Sequence, residues 1–147
     1  INPSKNELDI LIKKIFTILN GSYDIIVTTG SKELDVINQY ISDFKKFNSN
    51  IYTKQINNNS IKVIKSLSFK DLEFIVKNSS FLICCEGGVS HVSNGFKIKT
   101  LAFYEKNRLQ HTKYWTGHME NLVLYERKNM KDIINDEKFY KIIKENL

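Results

Sequence analysis

The sequence predicts an α/β protein built on a doubly wound parallel sheet. Three observations carry this expectation. β-rich runs alternate with amphipathic helical runs along the chain, the pattern of a parallel sheet covered on both faces. The run Phe81-Leu-Ile-Cys-Cys85 is apolar at every position, as in a strand buried on both faces. Glycines follow two of the strand-like runs, at Gly30 and at Gly87-Gly88, and lead into helical patterns.

Taken in order, Leu8, Leu11, Ile12, Ile15 and Leu19 recur at helical spacing and Asn20-Gly21 is a stop signal, which predicts a helix over residues 6–19. Residues 23–29 read as a strand that ends at Gly30-Ser31. Leu34, Ile37, Tyr40, Ile41 and Phe44 then mark a second amphipathic helix. Short extended pieces are predicted over residues 50–55 and 61–65, with the polar run Asn57-Asn58-Asn59-Ser60 as a surface loop between them. Ser68 is placed to cap a helix carrying Phe69, Leu72, Ile75 and Val76 on its apolar side, and Asn78-Ser79-Ser80 ends it. After the strand Phe81–Cys85 and its glycine turn come a short helix over residues 89–94, a strand over 100–104, a last strand over 121–125 and one closing helix over 130–146. His111 and His118 read as loop residues near Trp115.

The 147 residues amount to one domain, and 41% hydrophobic content suffices for a core. No run approaches the length needed to span a bilayer, and the start lacks the regions of a signal peptide, so the chain is expected to be cytoplasmic. Ile1-Asn2-Pro3-Ser4 resembles a strand end, as though the chain began inside a larger protein. Adjacent Cys84 and Cys85 would face opposite sides of a strand, which disfavours a disulfide or a metal cage and points to reduced structural thiols. The net charge of +6 suits an anionic partner, a nucleotide diphosphate or the anionic surface of a membrane; lysine spread along the chain with Asn and Ile also reads as a compositional bias. Without an arginine cluster or zinc-finger spacing, nucleic acid is not an expected partner.

In a doubly wound sheet, ligands bind beyond the carboxyl ends of the strands. Four turns are candidates for that edge: residues 2–5, 30–33, 67–69 and 86–91. The last is the most informative, because an acid, two glycines and a histidine stand where a strand empties into a helix. Glycine lets the backbone approach a ligand, and the N–H groups of the new helix point back at the same place.

The stretch from Ser68 to His91, with Glu-Gly-Gly-Val-Ser-His at its end, resembles the nucleotide-sugar-binding half of the heptosyltransferases of lipopolysaccharide core synthesis. That family carries a helix, an apolar strand, Asp-Thr-Gly-x-x-His and a small-residue helix, and then a strand that Lys99-Thr-Leu-Ala-Phe-Tyr104 imitates. The resemblance covers most of the chain. It implies the Rossmann-like, C-terminal donor-binding domain of a GT-B type glycosyltransferase, a single domain over residues 1–147 and a fragment of a two-domain protein.

Residue by residue, the resemblance implies that Glu86 stands for an aspartate contacting the donor sugar. Gly87 replaces a threonine, Gly88 matches the motif glycine, and both offer N–H groups to the diphosphate. His91 matches the motif histidine. Each has a plainer reading: Glu86 as a solvated acid at a helix start, the glycines as a tight turn, His91 as a packing residue. Glu33, in a turn like the family's Gly-x-x-Glu, reads equally as a ribose or base contact and as a first-turn helix acid. Leu67 reads as a residue packed on the base or as a core leucine. Ser4 and Lys5 fall where the family turns hydroxyl and lysine side chains toward the diphosphate, in a loop shorter than the family's.

The reaction implied is inverting transfer of a sugar, ADP-heptose by default, from a nucleotide diphosphate to a lipid-linked oligosaccharide acceptor. No metal or other cofactor is implied, and the general base is expected from an N-terminal domain of the same protein. This chain alone would bind nucleotide weakly and catalyse nothing. Two rival readings stand beside it. One is a non-catalytic flavodoxin-like regulatory or scaffolding module; the other, Cys–His hydrolysis through Cys85 and His91, requires Cys85 to leave a buried strand.

Overall fold

The computed structural model describes residues 3–19, 21–30 and 34–147. The protein is α/β, and the described residues fall into two compact units. One, the N-terminal unit, holds the described residues up to Phe69 together with Met130–Asn135; the other, the C-terminal unit, holds Lys70–Asn129 and Asp136–Leu147.

The N-terminal unit begins with helix α1 (Lys5–Ile18), which opens on a complete capping box and buries Ile12, Ile15 and Phe16. Strand β1 (Asp24–Thr28), helix α2 (Asp35–Tyr40) with a 3-10 turn at Ile41–Asp43, and strands β2 (Lys45–Lys46), β3 (Ile51–Ile56) and β4 (Asn59–Ile64) follow. The sheet order is β1-β4-β3-β2. β1 and β4 are parallel, with Ile25 opposite Ile61 and Val27 opposite Val63, whereas β3 is antiparallel to both β4 and β2. The expectation of a purely parallel sheet therefore fails here. Asn57-Asn58 is a two-residue hairpin turn, with Asn57 at φ 53°, and a connection that short can join only antiparallel strands. Asn59 and Ser60, read as loop, already belong to β4.

Ile61 and Val63 lie fully buried in the core of this unit, against Ile12, Phe16, Ile37, Tyr40, Ile41 and Phe44. The Tyr40 ring packs on Phe44 at 5.1 Å. Helix α6 (Met130–Ile134) returns to the same unit and packs on α1, where the Lys14 ammonium donates to the Ile134 carbonyl at 2.9 Å.

Helix α3 (Phe69–Lys77) leads into the C-terminal unit. It buries Val76, but Phe69, expected on its apolar side, is exposed. Strand β5 (Phe81–Cys85), helix α4 (Gly88–Gly95), strand β6 (Lys99–Tyr104), helix α5 (Leu109–Thr116), strand β7 (Leu122–Glu126) and helix α7 (Glu137–Asn146) complete it. Here the sheet is parallel throughout, in the order β5-β6-β7, as the alternation of strands and helices predicts. Helix α4 ends in a Schellman motif: the Ile98 N–H reaches the Ser93 carbonyl at 2.9 Å, and Lys97 sits at φ 57°.

Three expectations need correction in this unit. β5 is not buried on both faces, because Ile83 and Cys85, which share one face of the strand, are exposed. His111, read as a loop residue, lies in helix α5. The closing helix is two helices. Asp136 adopts an extended conformation between them and caps α7 through the Lys138 N–H at 2.9 Å. Its carboxylate also accepts from the Tyr125 hydroxyl and from the Lys128 ammonium, both at 2.5 Å. Hydrogen bonds from Lys128 and then Tyr125 hold its pKa down at about 2. One turn on, Phe139 is buried against Phe103, Tyr125 and Tyr140.

Candidate functional site

The turn after β5 is built from backbone outward. The Glu86 N–H donates to the Phe103 carbonyl at 2.9 Å, which ties the turn to the carboxyl end of the neighbouring β6. Gly87 then takes φ 151° and ψ −156°, a conformation open in practice only to glycine. Sterics around it do not demand glycine: a Cβ added at Gly87 or Gly88 would meet nothing within 4 Å. The backbone at Gly87 does, and both positions leave open space in front of the turn.

Helix α4 is anchored by hydroxyls on its buried face. Ser90 Oγ donates to the Gly87 carbonyl at 2.7 Å and lies 3.2 Å from the Gly87 N–H, which donates to it. Ser93 Oγ donates to the Ser90 carbonyl at 2.8 Å and accepts from Thr100 Oγ1 of β6 at 2.8 Å. Ser90, Ser93 and Thr100 are buried, so this short chain fixes how the helix start is aimed. Ser90 Oγ thus takes the Gly87 N–H, and among the described residues no side chain accepts from the Gly88 or Val89 N–H. The first N–H groups of the helix have no intrahelical acceptor, and an anion is the ligand such a terminus favours.

Around this point stand three ionisable side chains. The half-buried Glu86 carboxylate has no hydrogen bond or ion pair among the described residues. His91, one turn into α4, is exposed, and its ring lies 6.2 Å from that of His118, which follows α5. His118, read from sequence as an ordinary loop residue, is thus the addition that the fold makes to the group. Nothing in its local sequence marks it; only the path of the chain past α5 brings it to His91.

Cys84 and Cys85 are both free. Burial first, then the neighbouring Cys85 and Glu86, push the Cys84 thiol up to about 12, so it is protonated and a poor nucleophile. Cys85 is exposed rather than buried as expected, and no described residue hydrogen-bonds its thiol.

The other predicted residues belong to the N-terminal unit. Ser4 is the N-cap of α1: its Oγ accepts from the Glu7 N–H at 3.3 Å, and the Glu7 carboxylate accepts from the Ser4 N–H at 2.8 Å. Glu7 is held below the usual carboxylate range by these contacts from Ser4. The Lys5 ammonium donates to Ser42 Oγ at 2.9 Å and stands 3.9 Å from Asp43. Leu67 is half-buried, and its N–H donates to the Thr29 carbonyl at 3.4 Å, next to Ser66, whose N–H reaches Thr29 Oγ1 at 3.3 Å. The turns after β1 and β4 are therefore together, as the sequence predicts for carboxyl ends of paired parallel strands. Glu33 lies outside the described residues. Among the described residues no group of three or more His, Cys, Asp or Glu side chains is arranged to hold a metal ion, and no helix is long and apolar enough to cross a membrane.

No family model matches the chain, and no curated protein matches it.

Proposed function

We propose that the turn at Glu86–His91 binds the diphosphate of a nucleotide sugar, and that the chain is the Rossmann-like donor-binding half of a GT-B type inverting glycosyltransferase resembling the heptosyltransferases of lipopolysaccharide core synthesis. One observation supports this reading above the others. A helix start of the C-terminal unit is aimed by three buried hydroxyls and leaves the Gly88 and Val89 N–H groups without a side-chain acceptor among the described residues, with a glycine-only backbone before it and unpaired Glu86 and His91 beside it.

In this reading each residue has a task set by its chemistry. The difficulty of sugar transfer is the charge that builds on the departing diphosphate. The Gly88 and Val89 N–H groups and the positive end of α4 meet that charge, and they cost no reorganisation because Ser90, Ser93 and Thr100 already hold them. His91 donates to the same phosphate oxygens. Glu86, acceptor only when ionised, takes hydrogen bonds from sugar hydroxyls and so reads the transferred group. The base that activates the acceptor hydroxyl of a lipid-linked oligosaccharide is assigned to another domain, and no divalent metal is required.

Isothermal titration of the chain with ADP, UDP, GDP and CMP tests the proposal. Expected is weak binding of at least one nucleoside diphosphate, lost at least about tenfold in His91→Ala as one charge-assisted hydrogen bond disappears. Glu86→Ala is expected to leave the bare nucleotide unaffected and to weaken the nucleotide sugar. If no nucleotide binds at millimolar concentration while circular dichroism shows the fold intact, the chain is a non-catalytic α/β module and the proposal is wrong.

A further inference from the structure

Helix α5 wears its polarity inside out. Its buried positions are Thr112 and Thr116, whose hydroxyl at Thr116 turns back to the Thr112 carbonyl at 2.8 Å. Its outward side carries Tyr114, 82% exposed, and Trp115, 53% exposed, packed edge to face with ring centroids 5.8 Å apart. A surface helix ordinarily shows the reverse. The one polar group of Trp115 is engaged along the helix surface, where its indole N–H donates to His111 Nε2 one turn back at 3.0 Å. What remains outward is the carbon face of the ring.

The charged side chains of the helix and of the 3-10 turn before it are all cationic. Lys106 and Arg108, in the 3-10 turn just before the helix, and Lys113 within it are all exposed, and no described ion pair engages them. Residues 106–119 contain no Asp or Glu. Of the acids that flank this segment, Glu105 is paired with Arg127 at 3.7 Å and Glu120 is exposed. Aromatic rings with an apolar outer face, on a segment whose charges are cationic, match the boundary of an anionic bilayer, where rings settle at headgroup depth and ammonium or guanidinium groups meet lipid phosphates.

We propose that α5, with the turn before it, docks on the surface of an anionic phospholipid membrane. Tyr114 and Trp115 enter the interface, and Lys106, Arg108 and Lys113 supply the attraction. The proposal is independent of what binds beside α4.

Trp115 is the chain's single tryptophan, so its emission reports this helix alone. The full chain is titrated with vesicles of phosphatidylcholine and phosphatidylglycerol in equal parts, with pure phosphatidylcholine vesicles, and with a single-stranded oligothymidylate. Expected are a blue shift and co-sedimentation with the anionic vesicles, reduced by salt, and quenching by lipids brominated near the headgroup. The triple variant Lys106→Glu, Arg108→Glu, Lys113→Glu changes only exposed side chains and should bind at least ~10-fold more weakly with an unchanged circular dichroism spectrum. Tyr114→Ser should weaken binding while keeping its salt dependence. Equal binding to neutral vesicles, anionic binding that survives charge reversal, no emission change with any vesicle, or binding of the oligonucleotide in place of vesicles overturns the proposal.

Discussion

The start of α1 in the N-terminal unit and the start of α4 in the C-terminal unit look interchangeable on paper, each a small residue ahead of an amphipathic run. In three dimensions they are opposites. At α1, Ser4 and Glu7 satisfy one another, and Lys5 is already engaged with Ser42 and Asp43. At α4 Ser90 Oγ takes the Gly87 N–H and holds the turn, while the Gly88 and Val89 N–H groups have no side-chain acceptor among the described residues. The C-terminal unit does not lack caps in general, since α7 is closed by Asp136 with help from Tyr125 and Lys128. Helix α5 of the same unit also begins without a side-chain cap, so what sets the start of α4 apart is the glycine-only backbone at Gly87 and not the missing cap alone.

The sharpest test of that contrast is at Asp136. Asp136→Ala removes a cap and the acceptor of a charged hydrogen bond from a mostly buried carboxylate, and should cost ~3 kcal/mol in urea unfolding. Its pKa is depressed in the fold, to about 2 from an ordinary 3.8, so its contribution is complete above pH 4 and disappears as pH falls toward 2. Unfolding measured between pH 6 and 2.5 should show this acid-sensitive contribution in the parent and its loss in Asp136→Ala.

Next in size is Gly87→Ala, which forces an L side chain into a conformation reserved for glycine and should cost ~2 kcal/mol. Gly88→Ala is the control within the same turn. Its Cβ meets nothing, so stability should change by less than ~0.5 kcal/mol, while titration should show weakened nucleotide binding because the methyl group stands where the phosphate approaches. Equal effects of the two substitutions on binding and on stability would erase the distinction between turn geometry and ligand approach. The smallest effect belongs to Ser4→Ala. Loss of the cap should lower stability by ~1 kcal/mol and leave nucleotide binding untouched; weakened binding would place α1 in the site and dissolve the contrast drawn above.

Local signals carried far in this molecule. Helical periodicity located α1, α3 and the closing helical region, apolar and β-rich runs located β1, β5 and β6, and Glu86-Gly87-Gly88 marked the strand-to-helix turn. The failures share a cause. The parallel pairing expected for β3 and β4 depended on how many residues of Asn57-Asn58-Asn59-Ser60 the turn would use, and two were enough. α5 was invisible because its buried side is threonine and its exposed side aromatic, the reverse of the pattern by which helices are recognised. The break at Asp136 depends on Tyr125 and Lys128, which lie on or just after another element.

The sequence by itself determined the α/β class, the strand-to-glycine-to-helix turn and the residues that line it, because backbone freedom and amphipathic period are properties of a few adjacent residues. Only the tertiary structure decided which polar groups are committed. Ser4 became a cap, Lys5 an ion-paired surface cation and His118 a neighbour of His91, since whether a donor or acceptor is satisfied depends on atoms brought near by packing and not on its place in the chain.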